Sequence, residues 1–377
     1  MDSKIKKIII IISVAILSVL AIFFLFRIAV SPAAPDSISR TISDIFPSSI
    51  KRDPDNGQKL PVPEPRPITL IFGGDVMLSR HVNDKIEKNK DYSWPFIKIA
   101  DFLSSADLTI INLESPFLES KDYFVPTGSF MFKANPEAIV GLTESGIDLA
   151  ALANNHIMNQ GAKGLAKTQE VLSMAKIRTI GAGESEETAH KPEIFTIENK
   201  RFGFLDYAYP EDNSIATSKR SGIASMDINK MGTDIQDLKT KADVIIVMMH
   251  AGEEYTTKPN KQQVAFAHAA IETGADLVIG HHPHWPQTWE SYQGKPIIYS
   301  LGNLIFDQMW SSETSQGLAA KLSWKNNGWE EIELIPIKIR DYGQAEIMAD
   351  GPEKEALLKK LDIPADEKIK LFTTKKR

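Results

Sequence analysis

Gly280-His281-His282-Pro283-His284 places three histidines within five positions of a chain that has only eight among its 377 residues. The stretch follows Ala275-Asp276-Leu277-Val278-Ile279, a short apolar run of the kind that makes a buried strand. Imidazoles at a strand's end point into one crevice, and imidazole is the commonest nitrogen ligand for zinc, manganese and iron. Two histidines at a spacing of two can approach one metal from the same loop. The plain alternative is a polar loop of surface histidines, and the rest of the chain decides between them.

Working outward, other short apolar runs also end in polar side chains. Ile68 to Phe72 reads as a first strand, stopped by Gly73-Gly74 and followed by Asp75. Asp107 to Leu113 closes on Asn112 and Glu114, and Ile147 to Ala153 closes on Asn154-Asn155-His156. Val244 to Met249 runs into His250, and Ile297 to Leu301 leads to Asn303. Phe202 to Leu205 is a further strand. Between them lie helical stretches, Pro95–Ser104, Pro136–Ser145, Lys163–Ala175 and Lys261–Thr273. Strand–helix alternation predicts an α/β domain, which builds its sites at the carboxyl ends of strands. Asp and Asn after a strand are ordinary turn formers. Potential ligands at six strand ends are more than turn chemistry requires.

Composition narrows the classes. Hydrophobic residues make up 42% and charged residues 24%, normal for a globular core, and the net charge is -6. No basic stripe interleaved with aromatics points to nucleic acid. Cysteine is absent, which excludes disulfides, thiolate nucleophiles and Cys-type zinc sites.

The amino-terminal part has its own logic. Residues 1–7 carry Lys4, Lys6 and Lys7, and Ile8 to Phe26 is an uncharged apolar run. Nineteen such residues span about 28 Å, close to the ~30 Å hydrocarbon core. Residues 8–30 are therefore read as an uncleaved transmembrane signal anchor, with residues 1–7 cytoplasmic and the bulk of the chain extracellular. Residues 31–67, punctuated by eight prolines, read as a linker ending in an extended spacer. The domain is expected over 68–345. Residues 346–377 are expected to be a charged tail, with Glu353 to Leu361 as a surface helix.

The polar strand ends, taken with their neighbours, resemble the calcineurin-like metallophosphoesterase superfamily, and within it the CapA/PgsA family of capsule and poly-γ-glutamate synthesis proteins. The matching residues are Gly74-Asp75-Val76-Met77-Leu78-Ser79-Arg80, Asn112-Leu113-Glu114-Ser115-Pro116, Leu152-Ala153-Asn154-Asn155-His156 running to Gly161, His250-Ala251-Gly252-Glu253-Glu254, Gly280 to His284, and Tyr299-Ser300-Leu301-Gly302-Asn303. They cover roughly residues 68–310 in the family's order. The resemblance implies a four-layer α-β-β-α sandwich holding one or two divalent ions, manganese, zinc or iron. It implies Asp75 and His284 as ligands of a first metal and Asn155, His250 and His282 as ligands of a second. Glu114 would bridge them, and His156 would donate a proton to the leaving group. Arg80 is a candidate for an anionic group of the substrate, or else one half of a salt bridge, and Asn303 is a second substrate candidate. His81, His190 and His268 read as surface residues.

Two departures bear on the first metal. Met77 stands where phosphoesterases carry a histidine, and a thioether is a poor ligand for hard divalent ions. Glu114 stands where aspartate is usual. Two functions follow from the resemblance. One is a membrane accessory protein of capsule or poly-γ-glutamate production, working with ligase and export subunits on an anionic polymer. The other is a free-standing metal-dependent hydrolase of a phosphoester or of an amide bond in a cell-surface polymer.

Overall fold

Nearly every central strand is apolar on both faces, and the architecture shows why. The computed structural model describes residues 66–119, 130–209 and 214–371. The expected anchor and most of the linker lie outside these residues. Among those described, no helix is long and apolar enough to cross a membrane.

In chain order the strands are β1 (Ile68–Val76), β2 (Leu108–Leu113), β3 (Leu149–Ala151), β4 (Arg178–Ile180), β5 (Ala182–Gly183), β6 (Glu193–Ile197), β7 (Lys200–Ala208), β8 (Gly222–Ile223), β9 (Val244–His250), β10 (Leu277–His281), β11 (Trp289–Tyr292), β12 (Lys295–Ile298), β13 (Asn303–Ile305), β14 (Gln316–Lys325), β15 (Gly328–Arg340), β16 (Gln344–Ile347) and β17 (Lys368–Lys370). One sheet has the order β16-β15-β14-β1-β2-β3-β4, with β13 added to β1 and β17 to β15. The second has the order β11-β12-β10-β9-β7-β6.

Side chains on a strand alternate between faces, and here each face meets a different core. Leu70, Phe72 and Ile110 of the first sheet pack with Phe202, Phe204, Ile246, Met248, Leu277 and Ile279 of the second. The intervening Ile71 and Ile111 pack under the helices Arg80–Asn89, Ile139–Glu144 and Gly161–Met174 through Val82, Ile86, Leu142, Leu165 and Leu172. Leu205, Val247, Met249 and Val278 pack under Ile228–Leu238 and Lys261–Thr273 through Ile235, Leu238, Phe266 and Ala270. Three apolar layers between four layers of secondary structure make an α-β-β-α sandwich. Strands buried on both faces read as continuous apolar runs.

Several local expectations change. Lys261–Thr273 has the bounds its sequence implies, set by an Asn260–Gln263 capping box and by Gly274 at its end. The helix expected over Pro95–Ser104 is mostly turns, with α-helix only at Ala100–Leu103. Pro136 opens a 3-10 turn that runs into Ile139–Glu144. Gly73-Gly74 does not stop β1. The strand bulges there and continues to Val76. Gly74 is required because a Cβ would lie 2.1 Å from the carbonyl oxygen of Gly302, the residue before β13. Nor is residue 345 a boundary. β17 pairs with β15, and Met348, Leu357, Leu358, Leu361, Ile363 and Ile369 belong to the core between the sheets. The helix Pro352–Lys360 shows its charges to solvent but buries its leucines, so the segment expected as a tail is part of the domain.

Candidate metal centre

The register of the strands brings the polar ends together. Asp75 on β1 pairs with Asn303 on β13 and with Asn112 on β2. In the other sheet His250 on β9 pairs with His281 on β10. The buried His281 ring sits 3.2 Å from the Gly73 carbonyl, joining the sheets beneath the site. The chain then turns through His282 and His284, both with positive φ, 99° and 56°. That backbone is costly for residues with a Cβ and persists only where the surroundings hold it. Here the Tyr255 N–H donates to the Pro283 carbonyl at 2.9 Å, pinning the loop.

All six expected ligands gather at this crevice, in two groups. Asp75, Glu114 and His284 offer donor atoms within 4.8 Å of one another, all buried. Asn155 Oδ1 and His282 Nδ1 stand 3.0 and 3.1 Å from His250 Nε2. Ligand atoms bound at about 2.0–2.1 Å to one cation stand about 3.0–3.4 Å apart, and both separations from His250 Nε2 match that spacing. Glu114 Oε1 lies 3.9 Å from His250 Nε2, while its Oε2 is buried with no hydrogen-bond partner. A buried carboxylate oxygen without a partner is costly, and a cation between the groups would satisfy it. The donors fit a divalent ion.

Met77 takes no part. It is buried in the core beneath the helices, and its sulfur accepts the Ser79 N–H at 3.0 Å.

Electrostatics agree with this arrangement. Burial, then the neighbouring Asp75 charge, raises the Glu114 carboxyl well above its usual range. Burial also opposes ionisation of Asp75, but its contacts with His284, His281 and Asn112 outweigh it and hold that carboxyl low. Burial, then the neighbouring imidazoles, lowers His250 well below normal and His282 to about 4. Neutral imidazoles are the form that binds metals.

A chain of amides, Asn154 and Asn112, orients these groups. Asn154 Oδ1 accepts the backbone N–H groups of His156 and Ile157, at 3.1 and 2.8 Å. Its amino group therefore donates to Asn112 Oδ1 and the Leu113 carbonyl. That turns the Asn112 amino group into the site, 2.8 Å from Asp75 Oδ1 and 3.2 Å from both Glu114 Oε1 and His250 Nδ1. Asn112 sits near the end of β2 and Asn154 just after β3, where turn formers also sit, so the sequence could flag them but not separate the readings.

Two expected roles, those of Asn303 and His156, take a different form, and Arg80 shows one of the two expected for it. Asn303 is fully buried, and its amide is committed: the amino group donates to Gln308 and the Thr314 carbonyl, and Oδ1 faces His284 Nδ1 at 2.9 Å. Asn303 orients an imidazole in place of reaching a substrate, a common arrangement behind metal ligands. Arg80 forms the salt bridge, with Asp307, and lies over the Phe132 ring at 4.8 Å. His156 stacks on Phe132 at 3.9 Å. Its Nδ1 lies 3.1 Å from Asn159 Oδ1, which also accepts the Phe132 N–H. His156 Nδ1 is therefore the donor and Nε2 keeps its lone pair. Burial draws this imidazole down to about 3. At neutral pH it can donate from Nε2 only a proton that it has first taken up.

His190 is not a surface residue. It is buried, 2.7 Å from Asp234, beside Tyr207. His81 is exposed, and His268 is half-buried against Glu290 and Tyr292.

Asp206, on β7, ties the second sheet to the loop that carries Asn155 and His156. Its Oδ2 accepts the Ala153 N–H at 2.7 Å, and burial raises its carboxyl to about 8. A carboxyl raised on folding stabilises the protein at low pH, and that contribution is lost as pH climbs from the unfolded value near 4 toward 8. Relative to Asp206→Asn, the wild type should lose about 1.4 kcal/mol of stability per pH unit within that window. Chemical denaturation of both proteins at pH 5 and 7 measures it, and equal slopes would refute the assignment.

The comparisons now bear on this geometry. The family described as bacterial capsule synthesis protein PGA_cap matches residues 69–308, a span containing every residue of both ligand groups. The chain belongs to that family. The capsule biosynthesis protein CapA of Bacillus anthracis is 31% identical over 284 residues, covering 73% of this chain and 68% of that one. The PGA biosynthesis protein CapA of Bacillus subtilis is 29% identical over 299 residues, covering 78% and 77%. Among solved structures, the 5'-nucleotidase of Candida albicans is 11% identical, covers 80% of this chain and 55% of that one, and superposes with a TM-score of 0.43. PGA_cap membership agrees with the resemblance carried by the strand-end motifs, and the helix and strands beyond residue 308 complete the domain around the matched region.

Proposed function

We propose that this protein takes part in capsule or poly-γ-glutamate synthesis or export, and that its metal centre processes the polymer chemically. The observation that carries the chemical part is the gathering of five other ligands about Glu114, whose Oε2 is unpartnered. A scaffold has no use for a buried, unsatisfied carboxylate beside imidazoles that burial keeps neutral at His250 and His282. The names of the CapA relatives support the biological part.

A bound divalent ion, manganese, zinc or iron by the mixed imidazole and carboxylate donors, supplies a Lewis acid and an activated water. The chain's own residues do the rest. Asp75, His284, Asn155, His250, His282 and Glu114 would hold one or two such ions. His156 presents an unprotonated Nε2 that takes up a proton and returns it to a departing group. Arg80, fixed by Asp307 and the Phe132 ring, gives the rim a positive charge for an anionic chain. Anchored by residues 8–30, the domain would work on the extracellular side beside the ligase and export subunits.

A strain lacking the gene, complemented with wild type or with His250→Ala, tests this directly. Polymer yield should be restored by the first and not by the second, with protease added to intact cells removing the domain in both. Full restoration by His250→Ala would end the chemical reading. A domain sheltered from protease would end the topological one.

A further inference from the structure

The motif that begins at His250 continues through Glu253-Glu254-Tyr255, and its last two residues have no part in the metal centre as described. Tyr255 sits at positive φ, 64°, with its N–H held by Pro283. Its ring faces the His284 ring at 6.2 Å and meets the Trp310 ring edge-on at 4.8 Å. Gln308 reaches from Asn303 to the Tyr255 hydroxyl, so the aromatic pair is braced against the wall of the site. Trp310 nonetheless remains 61% exposed, an unusual position for an indole this close to buried ligands. Glu254 is exposed, and its carboxylate acts electrostatically on Glu114, His282 and the Tyr255 hydroxyl. Arg80 also acts on the Tyr255 hydroxyl, with the opposite sign to Glu254, but its guanidinium is held by Asp307.

Aromatic faces carry negative electrostatic potential, and the carboxylate of Glu254, next to Tyr255 in the chain, adds a full charge. That combination repels an anion and favours a compact cation. We propose that Glu254, Tyr255 and Trp310 form a subsite for a primary ammonium group at the edge of the metal centre. The proposal extends the reading of the centre as a place where a polymer is processed. In a γ-linked glutamyl chain every interior residue carries a free carboxylate, and the only ammonium is at the amino end. A subsite of this kind makes the enzyme read chain ends and pass over the interior.

The test uses the full-length protein in detergent, with glycinamide as the cationic probe and acetamide as its neutral counterpart. The Trp310 indole resonance, assigned as the signal missing from Trp310→Phe, should shift saturably with glycinamide and not with acetamide. Glu254→Gln should abolish the shift without altering metal content. The metal-loaded protein should then bind a γ-linked glutamyl pentamer with a free amino end about tenfold more tightly than the N-acetylated pentamer, the scale of a partly desolvated cation on aromatic rings. An unmoved Trp310 signal, a shift that survives Glu254→Gln, or equal affinity for the two pentamers would overturn the subsite. If glycinamide binds as expected and neither pentamer binds, the ammonium subsite stands and the polymer reading of the centre falls.

Discussion

His156→Ala should lower polymer output or turnover by about 10²–10⁴-fold, the usual contribution of a positioned proton-transfer group, while leaving the metal content unchanged. His156 bonds to Asn159 through Nδ1 and lies against Asn155 only at 3.4 Å, so its loss removes no ligand of either group. Removing the ring also unstacks Phe132 and opens space in a buried site, so part of any lost activity could come from a loosened loop. His156→Gln keeps much of the volume and controls for that. Activity lost in both variants with metal retained identifies proton transfer. Activity retained in His156→Gln points to packing and contradicts the role given to Nε2. Loss of metal in either variant would show that His156 is itself a ligand.

Glu114→Gln should reduce metal affinity by at least about 10²-fold, at the upper end of the change seen when a supporting group around a metal is lost, and should not destabilise the metal-free protein. The two halves have one cause. Glu114 is the carboxylate placed between both sets of ligands, and it is fully buried with one oxygen unsatisfied. Its charge is unfavourable until a cation arrives, as the upward displacement of its carboxyl shows. A neutral isostere removes that burden along with the ligand. Elemental analysis and thermal melting in the presence of a chelator measure the two halves separately. Retained metal would remove Glu114 from the centre. A marked fall in the melting temperature of the metal-free form would mean that Glu114 acts through packing or a proton it shares. His250→Ala provides the comparison, since it deletes a ligand of the second group only.

Much of this was legible in the sequence, for reasons that are local. A strand buried on both faces must be apolar throughout, so β9 and β10 stand out as runs that end abruptly in histidine. Asp75, Glu114, Asn155, His250, His282 and His284 stood out among the polar residues at such ends, where α/β sheets put their sites, and the family resemblance singled them out as ligands. Helix Lys261–Thr273 was readable because a capping box and a glycine mark its limits. By contrast, Arg80–Asn89 was hidden, since only Val82 and Ile86 among its ten residues are buried. The β14–β15 hairpin was hidden by polar residues around its Asn326-Asn327 turn, although both turn residues take the positive φ such a turn requires.

The sequence by itself therefore determined the alternation that makes two sheets and the identity of the groups at their ends. Only the tertiary structure decided what those groups do to one another. Whether Asn303 faces a substrate or an imidazole depends on Gln308 and Thr314, which complete its hydrogen bonds. Whether His156 offers a proton or a lone pair depends on Asn159, which is itself fixed by the Phe132 N–H. Whether the last thirty-odd residues are tail or core depends on a partner strand more than thirty positions earlier. Residue type and strand position are one-dimensional facts, whereas the direction of a hydrogen bond and the burial of a charge are set by neighbours that folding brings from elsewhere in the chain.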